Sequence, residues 1–391
     1  MFLKLTRSSC LLAGIFLIAG CLRVTFTGVS PLLHDIAQNF SLSDVSIGSL
    51  TTLPLLAFAA ISPLSAGLAK RYGAERVLFM ALLILCVGII YRSAGNTSAL
   101  YQGTVIIGCG IALGNVLLPA LVKRHFPEHV GDTIGKYSLV MGLCAAAGSA
   151  LMVPLAQTLH SWRWALLALG LFPLVALLAW IPQIRQSPDR YLSPGEAQSH
   201  RYLWRSPLAW QVTLFLGTNS LIYYVIVSWL PAILTSQGYS NEQAGSLHGL
   251  MQLASAVPGL LAGYVLRTLK GQQGLTLFMV LLCTLSLAGL LCWPVFSALW
   301  VSLFGFSCGA IIILGLTFIS LRSGSVLQAS ALSGMAQCIG YLLAAFGPPL
   351  MGQFHDLSGH WNGPLLVLIA CSLLMAVFGY HASQTRSIGK N

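Results

Sequence analysis

Cys10 to Leu33 reads CLLAGIFLIAGCLRVTFTGVSPLL, a run apolar enough to cross a bilayer, with a single charge, Arg23, near its middle. Roughly 20 apolar residues, at about 1.5 Å of rise each, span the hydrocarbon as a helix. Arg23 lies about 15 residues beyond Ser8 and Ser9, roughly 20 Å along such a helix, which is a long reach for a side chain snorkelling to water. A cation at that depth with no acidic neighbour costs roughly 2.5 to 3.5 kcal/mol on insertion scales. An anionic or strongly polar ligand would offset that cost; capping by backbone carbonyls is the purely structural alternative.

Outward from this run, similar ones recur at 44–69, 77–94, 99–122, 134–158, 164–183, 209–234, 242–267, 273–294, 297–321, 328–352 and 362–382, making twelve with the first. Charged residues are 7% of the chain and apolar ones 56%, whereas about a quarter of a soluble domain is charged. The expected fold class is therefore all-α integral membrane, with twelve transmembrane helices. The longest connection carries Ser187-Pro188 and Ser193-Pro194-Gly195 and reads as a linker over 185–208. It divides the chain into two sets of six helices, 1–184 and 209–391.

The net charge of +11 does not call for a nucleic-acid partner, because the basic residues sort by side. Lys4, Arg7, Lys70, Arg71, Arg76, Lys123, Arg124, Lys136, Arg205 and Arg322 fall, with others, in the termini and even-to-odd loops, and only Arg92 and Arg163 in the remaining loops. The positive-inside rule then places both termini in the cytoplasm. Ten cysteines lie scattered through apolar stretches with no C-x-x-C pair and no clustered histidines, which indicates neither a disulfide framework nor a metal site, and no cofactor is expected. Leu17-Ile18-Ala19-Gly20-Cys21 has the look of a lipoprotein cleavage site, but the apolar pattern runs on past it to Leu33 and eleven spans follow.

The two halves share a repeat. Pro31 faces Pro231, Phe40 faces Tyr239, Gly48-Ser49-Leu50 matches Gly245-Ser246-Leu247, and Ala66-Gly67-Leu68-Ala69-Lys70-Arg71 corresponds to Ala262-Gly263-Tyr264-Val265-Leu266-Arg267. A fainter match pairs Gly108 to Arg124 with Gly305 to Arg322. Six plus six helices in parallel orientation is the layout of a two-bundle transporter.

On these residues the chain resembles the major facilitator superfamily, and within it the cyanate-permease and 2-nitroimidazole-exporter branch. The resemblance rests on Leu22-Arg23-Val24-Thr25-Phe26-Thr27-Gly28, on Gly110 to Pro119, on Tyr223-Tyr224 with Trp229-Leu230-Pro231, on Gly245 to Leu250 and on Gly347-Pro348-Pro349. It implies a secondary transporter of a bacterial inner membrane, carrying a small planar polar or anionic solute by alternating access, surrounded by lipid and working as a monomer. The superfamily's gating loop carries an aspartate where this chain has Lys70, so the expected gating set is Lys70, Arg71, Glu75 and Arg76, with Glu75 the candidate acid.

Polar side chains three or four residues apart mark helix faces turned to protein or water. Such stripes pick out Arg23, Phe26 and Thr27 in the first span, Asn219 and Tyr223 in the seventh, His248 and Gln252 in the eighth, and Gln337 and Tyr341 in the eleventh. Asn115, beside Gly114 in the fourth, marks a close helix approach or a substrate contact. By the repeat, Arg23 corresponds to Tyr223 and Thr51 to His248, which suits a site at one depth in both halves. The guanidinium of Arg23 offers a planar fork of five donors and is the expected substrate anchor. His248 is a ligand contact, a proton-coupling group or a helix-to-helix hydrogen bond; with no acid mid-span, it is the candidate for coupling.

No G-x-x-x-x-G-K-[ST] sequence is present, so the driving force is expected from a gradient. A broader drug or metabolite exporter fits the same pattern. An enzyme acting on lipid-linked substrates would need paired carboxylates, and the nine acids, all in or beside loops, show no such cluster. A passive channel suits the repeat less well than a rocking transporter.

Overall fold

The computed structural model describes residues 2–42, 44–184, 203–268, 271–385 and 387–388; most of the expected linker, 185–202, lies outside them. The described residues form fifteen α-helices and no strand. They are α1 (Phe2–Thr27), α2 (Leu33–Phe40), α3 (Asp44–Tyr72), α4 (Ala74–Arg92), α5 (Thr97–His125), α6 (Val130–Thr158), α7 (Trp162–Ala168), α8 (Leu171–Ile184), α9 (Pro207–Ser236), α10 (Asn241–Ala256), α11 (Pro258–Thr268), α12 (Gln273–Cys292), α13 (Ser297–Arg322), α14 (Val326–Ser358) and α15 (Asn362–Ala382).

Among the described residues eleven segments are long and apolar enough to cross a membrane. The remaining expected span, the eighth at 242–267, is broken into α10 and α11 at Val257, because Pro258 brings no backbone N–H to continue the ladder. The expected span 10–33 is displaced as well. α1 stops at Thr27, and Pro31 lies in a tight turn, Ser30–Leu32, ahead of α2. Pro54 and Pro63, by contrast, lie inside a continuous α3, and such prolines are tolerated where neighbouring groups take up the freed carbonyls.

Two compact units result. The first comprises Met1–Leu121 and Val140–Ala197, the second Val122–Leu139 and Gln198–Asn391. Helices surrounded by lipid gain little from apolar burial against one another, so close packing and hydrogen bonds must hold each unit together. In the first, α1 is the hub. Gly114 of α5 faces Leu22, Gly148 of α6 faces Val24, and Gly14 meets the ring of Trp180 from α8. Trp180 is fully buried and donates from Nε1 to the carbonyl of Glu75 at 2.9 Å, which ties α8 to the start of α4. At one end Val29, Leu32, Ile36, Leu50, Leu100, Met152 and Trp162 form an apolar cluster. Arg163 closes over it, its guanidinium 5.2 Å from the Trp162 ring and its Nη2 donating to the Gly95 carbonyl at 3.1 Å.

In the second unit α9 and α14 cross where Gly217 meets Gly340, and α10 and α13 cross where Gly305 and Gly309 meet the carbonyls of Met251 and Ser255. Arg322, at the end of α13, is 5% exposed and its side chain binds two other chain segments. Its Nε donates to the Ala382 carbonyl at 3.1 Å, and its Nη2 to Gln272 Oε1 at 2.7 Å and the Ser383 carbonyl at 3.0 Å. Lys123 donates to the carbonyls of Ser320, at 2.5 Å, and Ser323. A cation there satisfies carbonyls that the helix end leaves free and meets the negative end of the α13 dipole.

Candidate functional site

In the first unit, the Leu22–Gly114 contact fixes where the polar residues of α1 and α5 stand. Because Gly114 has no side chain, Leu22 packs onto its backbone, and the next residue of each helix, Arg23 and Asn115, flanks the contact. Arg23 is half-buried between the buried pairs Cys21-Leu22 and Val24-Thr25. Asn115 is the one residue between Gly110 and Val122 that is not buried. Both side chains therefore hold partial access to space in stretches that otherwise have none. Thr27 is bound to the scaffold: its hydroxyl donates to the Arg23 carbonyl at 3.0 Å and lies 3.4 Å from that of Ala145. Phe26 packs at 6.0 Å from the Phe58 ring of α3, a tilted aromatic pair.

In the second unit the candidates gather around α9. Tyr223 donates from its hydroxyl to Gln252 Oε1 at 2.6 Å, joining α9 to α10. One turn earlier on α10, His248 places Nε2 3.1 Å from the Val227 carbonyl. A carbonyl only accepts, so Nε2 carries the hydrogen and Nδ1 is left as the atom that binds or releases a proton. Asn219 is 2% exposed, and its Oδ1 has no hydrogen-bond partner among the described residues. An acceptor buried in that way costs about 1 to 3 kcal/mol unless a donor reaches it. Gln337 and Tyr341, both half-buried, lie one turn apart on α14, with Tyr341 adjacent to the Gly217–Gly340 crossing and Asn219 two residues beyond it.

The loop residues are simpler. Gly73, at φ 86°, turns the chain between α3 and α4. Lys70 and Arg71 lie in the last turn of α3 and Glu75 in the first turn of α4, each sign at the helix end whose dipole favours it. Glu75 is 5% exposed, whereas Arg71 and Arg76 are exposed.

The sequence reading missed one cation. Arg92 counts there as a loop residue, but it ends α4 and is 2% exposed. The available signal was its position: it is one of two basic residues on the side that the charge distribution otherwise leaves nearly bare.

Comparison with known proteins agrees with this architecture. Residues 15–345 match the profile of the Major Facilitator Superfamily. The chain is 57% identical over 378 residues to the 2-nitroimidazole transporter of Escherichia coli strain K12, covering 97% of this chain and 96% of the other. A more distant relative, the cyanate transport protein CynX of the same organism, is 26% identical over 87% of this chain and 88% of its own length. Among solved structures, that of the proton:xylose symporter XylE aligns with a TM-score of 0.77 at 13% identity, over 96% of this chain and 97% of the other, a likeness of fold.

Proposed function

We propose that this chain, which belongs to the major facilitator superfamily and is a multi-pass membrane transporter of that family, carries a small planar polar or anionic solute by alternating access. The reading rests on Arg23, the half-buried guanidinium one turn before the end of α1, next in sequence to the Leu22 that packs on Gly114. Its planar fork suits a carboxylate, a nitro group or a cyanate-like anion, and it stays charged at any working pH. A relative 57% identical is named for a nitro-heterocycle and a more distant one for cyanate, and both are compact and planar. Phe26, Thr27 and Asn115 accompany Arg23 on the first unit. On the second, Asn219, Tyr223, His248, Gln252, Gln337 and Tyr341 supply hydrogen-bonding and aromatic groups, with the unpartnered Oδ1 of Asn219 ready to accept from a ring N–H. Both termini face the cytoplasm, as the basic residues direct.

The test is a ligand-stabilisation series on purified protein. 2-Nitroimidazole, cyanate and small aromatic carboxylates should raise the melting temperature in a saturable way, and bulky amphipathic drugs should not. Stabilisation by the drugs alone would replace this reading with that of a broader exporter.

Coupling falls to His248, whose Nδ1 is the atom available for a proton. His248→Gln keeps a donor for the Val227 carbonyl but cannot titrate. Transport by this variant in proteoliposomes should lose its pH dependence between about pH 5 and 8, the range in which an imidazole changes charge. Retention of the wild-type profile would exclude His248 as the coupling group.

A further inference from the structure

Arg92 lies well away in sequence from every residue assigned to the solute, and the structure gives it an environment that a structural arginine would not keep. It ends α4, is 2% exposed, and has the backbone of α5 packed against its own. That approach is possible because residue 103 is glycine: a Cβ there would lie 2.5 Å from the Arg92 nitrogen and 2.6 Å from its Cα. The side chain is thereby held inside the first unit. Yet its Nε and Nη2 have no hydrogen-bond partner among the described residues. These two nitrogens form one edge of the guanidinium, whose parallel N–H groups grip an anion side-on.

Arg92 stands in the wall of a cavity of about 20 Å³ in the same unit, alongside Thr25, Phe26, Pro54, Thr104 and Ile107. Among the described residues of that wall there is no carboxylate. The two threonines do not compete as donors, since Thr25 Oγ1 donates to the Cys21 carbonyl and Thr104 Oγ1 to the Leu100 carbonyl, each at 2.7 Å. Among the described residues of the wall, Arg92 is left as the group with N–H donors to spare.

We propose that Arg92 and this cavity form a binding site for a small monovalent anion of halide size, with a charged anchor other than Arg23, although Phe26 stands in its wall as well as beside the proposed solute site. The volume sets the class of ligand. About 20 Å³ holds a particle of roughly water size, whereas pockets for organic ligands run to about 300 Å³ and more. A water could satisfy both N–H groups but would leave the charge uncompensated in a buried place, and buried charges are kept with a partner of opposite sign. A halide does both. At the end of α4 it would neutralise the buried Arg92 guanidinium, making that end of the unit sensitive to chloride through a cation other than Arg23.

The experiment uses the purified full-length protein at constant ionic strength, exchanging gluconate, which is too large for the cavity, for chloride or bromide. Wild type should gain a saturable rise in melting temperature with either halide. The rise should vanish in Arg92→Met and need tenfold or more bromide in Arg92→Lys, which keeps the charge without the fork. It should persist in Arg23→Ala, so failure of the solute reading leaves this one standing. Identical melting in gluconate and bromide, or an equal bromide shift in Arg92→Met, would overturn the site. Should Arg92→Met not fold, anomalous diffraction from wild-type crystals in bromide decides: a peak against Nε and Nη2 supports the site, and none at saturating bromide means that water alone occupies it.

Discussion

Arg23→Ala is expected to abolish saturable transport and to weaken solute binding by tens- to thousands-fold in protein that still folds and inserts. Removing one partner of a desolvated charge pair costs about 2 to 5 kcal/mol, and about 1.4 kcal/mol is tenfold in affinity. The folded state should survive the change. Arg23 is half-buried, its removal also lifts the cost of holding a charge in the hydrocarbon, and the contacts that fix α1 are made by its neighbours Leu22 and Val24 against Gly114 and Gly148. Arg23→Lys should bind with intermediate affinity, because an ammonium supplies a point charge where the solute's planar group meets a fork. Isothermal titration, with inserted protein quantified in parallel, separates the outcomes. Unchanged affinity in Arg23→Ala would remove Arg23 from the site altogether.

Arg23 was legible in the sequence because a lone charge in an apolar run stands out at any alignment of helices. Asn115 stood out for a related reason, a polar residue among glycines. Arg92 was not legible: at the end of a span a basic residue reads as a loop residue, and only the approach of α5 at Gly103, a contact between helices, buries it. The same limit explains the breaks. Pro258 ends α10 and Pro31 falls in a turn, while Pro54, Pro63, Pro119 and Pro154 lie within continuous helices. The difference is made by whichever neighbour satisfies the freed carbonyl, and a local reading of one chain does not contain that neighbour. The Tyr223–Gln252 bond likewise joins two stripes that the sequence marked separately, without saying that they meet.

Gly309→Val is expected to cause the largest loss of folded protein of any single change in the second unit away from its buried cations. Gly305 and Gly309 lie one turn apart on α13 and form a seam along which α10 packs backbone to backbone. A Cβ at 309 would lie 2.1 Å from the Ser255 carbonyl oxygen, and one at 305 would lie 2.2 Å from that of Met251. These are main-chain atoms, so no rotamer change relieves the clash and the helices must part. Overpacking of this kind costs about 1 to 3 kcal/mol where surroundings can shift, and more where they cannot. Gly309→Ala should lower the melting temperature and Gly309→Val should leave little monodisperse protein on size exclusion. Gly274→Ala, where nothing lies within 4 Å, should melt as wild type. The consequence reaches function, because the displaced helix carries His248 and Gln252: in Gly309→Ala, moving α10 away from α9 should break the 2.6 Å Tyr223–Gln252 bond before the unit unfolds. Solute affinity should then fall in Gly309→Ala by more than its loss of stability explains. Wild-type melting and affinity in that variant would show that the seam does not set the position of α10.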